Sequence, residues 1–189
     1  MGLGVGRTAA SFRNSDSFEF GGSVEGSLAG VTAAVELAIG GTPAPGLVIG
    51  GGIFSGGTGG DVETNEVDVD GQPIAPVKYN QLTFTLIGPF VDYYFDQRAG
   101  FHLQGALGLA AMEVGVGQQG SSELTARRTL GGLGFMLGGG YEWFVSEQWS
   151  LGGIIRMRYG ALETDDDDDE RYTFQTLALP EILFSATFH

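Results

Sequence analysis

Cysteine is absent from the 189 residues, so neither a disulfide framework nor a thiolate metal site belongs to this fold. Cations are scarce, with nine Lys and Arg against 23 Asp and Glu, for a formal net charge of -14. They stand singly or in pairs, so no basic stripe is available to neutralise phosphates, and nucleic-acid binding is disfavoured. No run of 18 or more apolar residues occurs, which removes a transmembrane helix. The opening Met1-Gly2-Leu3-Gly4-Val5 lacks the charged start, apolar stretch and cleavage site of a secretory signal peptide. The chain therefore reads as a mature or truncated form with a start methionine added. Histidine is nearly missing as well: only His102 and His189 are available as a histidine base.

Glycine, by contrast, is plentiful, at 34 residues without a G-X-Y period, while 42% apolar and 11% aromatic content argues against disorder. Glycine weakens strands unless backbones approach closely or an enclosed space must not be overfilled, and a narrow barrel supplies that reason. The length suits one domain, residues 1–189.

The stretch from Leu130 to Leu162 carries the clearest pattern. With period two, Leu133, Phe135, Leu137, Tyr141 and Trp143 share one face, opposite Gly132, Gly134, Met136, Gly138, Gly140 and Glu142. After Ser146-Glu147-Gln148 the scheme repeats: Trp149, Leu151, Ile155, Met157 and Tyr159 lie against Ser150, Gly152, Ile154, Arg156, Arg158 and Gly160. If those three residues form the loop, Gly138 faces Arg156 and Met136 faces Arg158. One face is bulky and apolar with aromatics near its ends; the other is small, polar and charged. A soluble barrel would have this reversed, so the predicted fold is all-β, a closed antiparallel up-and-down transmembrane barrel of eight strands. Slipping this strand by one residue would aim both arginines at lipid, at about 2 to 4 kcal/mol each near the midplane.

Elsewhere the alternation continues. Val31, Ala33, Val35, Leu37 and Ile39 oppose Thr32, Ala34, Glu36 and Ala38, which assigns Glu36 to the interior; Phe54 falls inside as well. Arg7 fits the outer face only near an edge. Leu82, Phe84 and Leu86 are expected outward, with Val91 and Tyr93 outward further on, and that change of parity predicts a β-bulge near Gly88-Pro89. Phe101, Leu103, Leu107 and Leu109 face out, opposite His102, Gln104, Ala106 and Gly108. A second parity break is expected at Pro180, after which Ile182, Phe184, Ala186 and Phe188 share the outer face. Short turns at 42–46, 96–100 and 146–148 alternate with long segments at 14–25, 56–80, 117–128 and 164–171, placing short turns at a periplasmic rim and long acidic loops outside.

These strands, the long and short connections and the terminal Glu181-Ile182-Leu183-Phe184-Ser185-Ala186-Thr187-Phe188-His189 resemble the small eight-stranded outer-membrane barrels, the class of the OmpA transmembrane domain and OmpX. GPFVDYYF and GYEWF are similar to segments of bacterial outer-membrane barrel domains of unassigned function. The resemblance implies an outer-membrane location in a Gram-negative envelope. It also implies a C-terminal signal for barrel-assembly machinery at Ile182, Phe184 and Phe188, here followed by His189, and contact with membrane lipid and lipopolysaccharide.

The site expected from parity is a polar network in the lumen formed by Arg156, Arg158, Glu36, Asp92, Glu142 and Glu181, with His102 and Gln104 nearby. Buried charges must be paired or solvated, so the network is expected to plug the barrel, with a proton or ion path as the other possibility. Tyr93, Tyr141, Trp143, Trp149 and Tyr159 make the aromatic girdle. No serine lies two residues from His102 along its strand and His189 is the chain end, so serine hydrolase catalysis is not expected; no metal or cofactor is expected either. The run from Asp165 to Glu170 lacks EF-hand spacing, leaving weak divalent-cation binding as a possibility. The expected role is structural or surface-interacting. The alternatives are a soluble lipocalin-like carrier of an apolar ligand and a narrow pore.

Overall fold

Residues that alternate in size and polarity along nearly their whole length have one way to satisfy every strand edge, which is to close the sheet on itself. In the computed structural model they do so. It describes residues 1–14, 25–67, 79–96, 100–117, 124–165 and 171–188. Among these, eight strands follow in order: β1 (Gly2–Asn14), β2 (Glu25–Ala44), β3 (Leu47–Val67), β4 (Tyr79–Tyr94), β5 (Phe101–Gly117), β6 (Leu124–Phe144), β7 (Trp149–Asp165) and β8 (Arg171–Phe188). Each pairs antiparallel with its sequence neighbour, and β8 closes on β1.

The register fixes the barrel's shape. Ladder partners followed once round from Gly2 pass through Glu36, Phe54, Leu86, Ala110, Gly132, Leu162 and Phe174 and return to Phe12, ten residues along the same strand. With a rise of about 3.3 Å per residue and about 4.8 Å between strands, eight strands at this stagger tilt by about 40°. The backbone then lies about 8 Å from the axis, and each residue climbs about 2.5 Å along it.

The short turns gather at one rim, called the lower here. Gly46 adopts a φ of 75°, which suits glycine at the β2–β3 turn, and the Val145 and Ser146 amides both donate to the Trp149 carbonyl at the β6–β7 turn. In the wall, backbones press together at Gly88 and Gly108, where a Cβ on either would run into the carbonyl of the facing strand.

Three sequence expectations need correction. Leu82, Phe84 and Leu86 point inward and are fully buried, while Thr83 and Thr85 take the outer face. No bulge occurs at Gly88-Pro89, since the β4 register runs unbroken there against both β3 and β5. The strands also run well into the expected long loops: β3 continues to Val67, and β6 starts at Leu124. One cause underlies all three. Strands of 20 or 21 residues at this tilt stand about 50 Å tall, roughly twice the height of a membrane barrel's apolar band. The upper wall therefore follows the rule of a water-soluble barrel, apolar inside and polar outside, so β4 keeps one parity while its faces exchange chemistry. At Leu179-Pro180, by contrast, the register shifts by one residue against both neighbours, where proline cannot donate to the ladder.

Candidate functional site

The outer face carries a continuous apolar belt: Leu3 and Val5 on β1, Val31, Val35, Leu37 and Ile39 on β2, Leu107 and Leu109 on β5, Ile155 on β7, and Ile182 and Phe184 on β8 are all exposed. Tyr93, Tyr141, Trp143 and Trp149 ring its lower edge together with Phe95, Phe101 and Phe188, several in ring contact: Tyr141 with Trp143 at 4.9 Å, and Trp149 with Phe188 at 5.3 Å. Tyr159 lies apart from that ring. It packs on Phe135 at the upper edge, at the height of Thr85 and Arg7 and roughly 25 Å above the tryptophans by the tilt geometry. Above this level polar side chains enter the outer face, with Thr83, Thr129 and Glu163 facing out beside Val31 and Leu133.

The lumen has three layers. Its middle layer is ionic and sealed. Arg156 and Arg158, successive inward positions on β7, and Glu181, inward on β8, have fully buried side chains. Glu181 accepts from Arg156 Nε at 2.8 Å, from Arg158 Nε at 2.9 Å and from Arg158 Nη2. Arg158 Nη1 also donates to the carbonyls of Phe54 and Phe84 at 2.7 and 3.0 Å. Arg156 Nη1 crosses to Glu36 at 2.6 Å, and Gln104 Nε2 reaches the other oxygen of that carboxylate at 3.2 Å. Each guanidinium also lies over an aromatic ring, Arg156 over Phe54 and Arg158 over Phe84. The space for these long side chains is supplied by glycine: a Cβ at Gly138 would come within 2.9 Å of Arg156 Cβ, and one at Gly56 would strike Arg158 Nη2.

Below lies a layer in which carboxylates meet hydroxyls and an imidazole. Glu142 accepts from Tyr94 Oη at 3.1 Å, Ser150 Oγ at 2.6 Å and Thr187 Oγ1 at 2.7 Å. Asp92 meets His102 Nδ1 at 2.7 Å, and the Tyr94 ring stacks on that imidazole at 4.9 Å. Above the arginines the lumen is packed with Leu82, Phe84, Leu86, Met112, Leu130 and Leu162, each 2% exposed or less. This apolar plug begins at about the height where the outer belt ends.

Arg156, Arg158, Glu36 and Glu181 thus form one hydrogen-bonded cluster, while Asp92 and Glu142 belong to the lower layer. The apolar plug is not readable from the expected parity, which turns Leu82, Phe84 and Leu86 outward. Continuing the Tyr93-Tyr94 alternation back along β4 without a break would have found it. Ile182, Phe184 and Phe188 face outward on β8; His189 and 166–170 of the acidic run lie outside the described residues. Among the described residues no group of three or more His, Asp or Glu is placed to hold a metal ion.

No protein-family model matches the chain, and no curated protein does. Among solved structures it is similar to Neisserial surface protein A (NspA), at 16% identity over 99% of this chain and 97% of the other, with a TM-score of 0.42. Ail, the attachment invasion locus protein of Yersinia pestis, solved with the heparin analogue sucrose octasulfate, is 9% identical over 99% and 97%, with a TM-score of 0.37. The outer membrane protease OmpT of Escherichia coli is 6% identical over 100% and 95%, with a TM-score of 0.44. These likenesses carry neither residues nor activity to this chain.

Proposed function

We propose that this barrel is a non-enzymatic outer-membrane protein that anchors a rigid, closed wall in the bilayer and displays the segments joining its upper strand ends to the outside. The observation that carries this reading is the exchange of chemistry with height. Among the described residues, the buried charged side chains all lie where the outside is apolar and aromatic-edged, set among Phe90, Met136, Ile154 and Leu183, and where polar side chains enter the outer face the inside is a packed apolar plug with no charge. A soluble carrier has no reason for such an exchange, and its exposed belt would associate in water. A narrow pore is disfavoured by side chains that fill an eight-stranded lumen from Glu142 to Leu82.

The belt contacts acyl chains, the aromatic edge sits at the periplasmic interface, and the upper edge meets lipopolysaccharide. The C-terminal strand offers its outward Ile182, Phe184 and Phe188 to barrel-assembly machinery. The segments 15–24, 68–78, 118–123 and 166–170 contain ten acidic residues and one lysine, which suits divalent cations or a cationic surface partner. The test is direct. The chain should need detergent, migrate differently on gels before and after heating, and give no conductance steps in planar bilayers; water solubility without detergent, or steady channels, would refute the anchor or the plug respectively.

A further inference from the structure

The apolar belt is not smooth. A groove of about 450 Å³ is cut into it over β3 to β6, lined by Ile49, Pro89, Val91, Leu107, Phe135 and Leu137. Its form follows from the register. Ile49, Val91, Gly105 and Leu137 make one row of outward positions across four strands. In the next row up, Gly51 faces Pro89 and Leu107 faces Phe135. The floor is the backbone of the intervening inward row, Phe90, Ala106 and Met136.

Two glycines leave the rows incomplete, and the wall's own packing does not require either. A Cβ at Gly51 would meet nothing within 4 Å, and one at Gly105 nothing closer than Leu137 Cδ2 at 3.6 Å. Gly88 and Gly108 nearby are of the other kind, held by the facing backbone. A Cβ fits at both positions, as it does at the outward Gly41 and Gly131 elsewhere, and at 51 and 105 the missing side chains lie in the two rows that wall the groove.

We infer that this groove seats one hydrocarbon chain of a membrane lipid as a defined site, distinct from the transient lipid contacts of the rest of the belt. The inference rests on the membrane-spanning reading. The groove is continuous with the lipid-facing belt, is walled by apolar side chains, and falls within the volume range of small-molecule pockets. Its direction excludes a second barrel as the natural occupant. Two upright barrels touch along a line parallel to their axes, whereas this groove crosses four strands obliquely over about 14 Å of curved wall. A flexible chain can follow that path and a convex wall cannot.

The experiment uses the full chain in phosphatidylcholine vesicles containing a little of the same lipid with a photoreactive diazirine midway along one acyl chain, with labelled residues located by mass spectrometry. Val91, Leu107, Phe135 and Leu137 should be labelled several-fold more than Leu3, Ile182 and Phe184, which lie at similar depth on β1 and β8 across the barrel. Gly51→Leu with Gly105→Leu should remove that excess while leaving the other positions unchanged. Equal labelling all round, or an excess that survives the filled groove, overturns the site and leaves the membrane reading intact. A dimer with Val91 and Leu107 shielded from label would place a second copy there and likewise overturn it. Absence of label from the whole belt would overturn the membrane reading and the site with it.

Discussion

Glu181 is the residue on which the sealed layer of the lumen turns, and its replacement makes a quantitative test. Its two oxygens accept three hydrogen bonds from two guanidinium groups, and all three side chains are fully buried. Glu181→Ala removes all of them at once. Arg156 keeps Glu36, but Arg158 keeps only the carbonyls of Phe54 and Phe84, which carry no formal charge. Breaking a buried pair by deleting one partner costs about 3 to 5 kcal/mol, mostly the penalty of the charge left behind. Three charge-assisted bonds at about 1.5 to 3 kcal/mol each would sum to more, but such terms are not additive when the same two donors share one carboxylate.

The sign of the double variant decides whether that reasoning holds. Arg158→Met with Glu181→Leu removes the uncompensated charge along with its partner and leaves Arg156 on Glu36. Replacing a buried pair by apolar residues of similar volume is often neutral or stabilising, so the double variant should be more stable than either single one. Urea unfolding in detergent or vesicles, followed by heat-modifiable gel migration, reads this. With a slope of about 2 kcal/mol per molar, 3 to 5 kcal/mol moves the midpoint down by about 2 M. Single variants that unfold with the wild type, or a double variant as weak as the sum of its singles, would show that the cluster does not hold the wall as described.

Other expectations follow from the same geometry. Ile155→Arg, near mid-belt, should cost about 2 to 4 kcal/mol, whereas Thr83→Arg, above the belt on the same outer face, should cost about 0 to 1; equal costs in vesicle-folded protein would misplace the belt's upper edge. Phe84→Ala opens a cavity in the apolar plug and should cost about 3 to 5 kcal/mol in the same unfolding assay, yet planar bilayers should stay silent because the arginine layer still blocks the lumen. Gly138→Leu forces a side chain against Arg156 and should cost about 1 to 3 kcal/mol or more, while Gly51→Leu should leave the urea midpoint unchanged.

The eight strands and their antiparallel order were legible because period-two alternation is strong wherever one face meets an apolar environment and the other does not. In the β6–β7 hairpin the contrast was sharp enough to set register: Met136 lies opposite Arg158 and Gly138 opposite Arg156. It failed in β4, where Leu82, Phe84 and Leu86 are apolar inside and Ile87, Val91 and Tyr93 are apolar outside. A reader who holds one environment constant along the strand must invent a bulge to reconcile the two groups. Pro89 supplied a pretext, yet it sits outward in an unbroken register. At Pro180 the same residue type does mark a bulge. Proline alone therefore does not tell a bulge from a plain wall position; the parity of the flanking residues tells them apart only if both sides of the wall are known at that height.

That height dependence also accounts for Arg7, the one charged outward residue on β1 among those whose side chains are described. Counted by position in the sequence it lies among lipid-facing neighbours, between Val5 and Ala9 and across from Val31. Counted along the barrel axis it stands level with Thr85 and Tyr159, where the belt gives way to polar side chains, because the tilt carries each strand to a different height for the same ladder row. A guanidinium at that level can reach headgroup phosphates with its stem still in the acyl region, so it costs little there. The level at which polar side chains enter the outer face is thus a tilted line across the ladder, running from Arg7 through Ser55 and Thr85 to Tyr159. The inward residues change from Arg158 to Phe84 across the same line, so inside and outside switch solvent together.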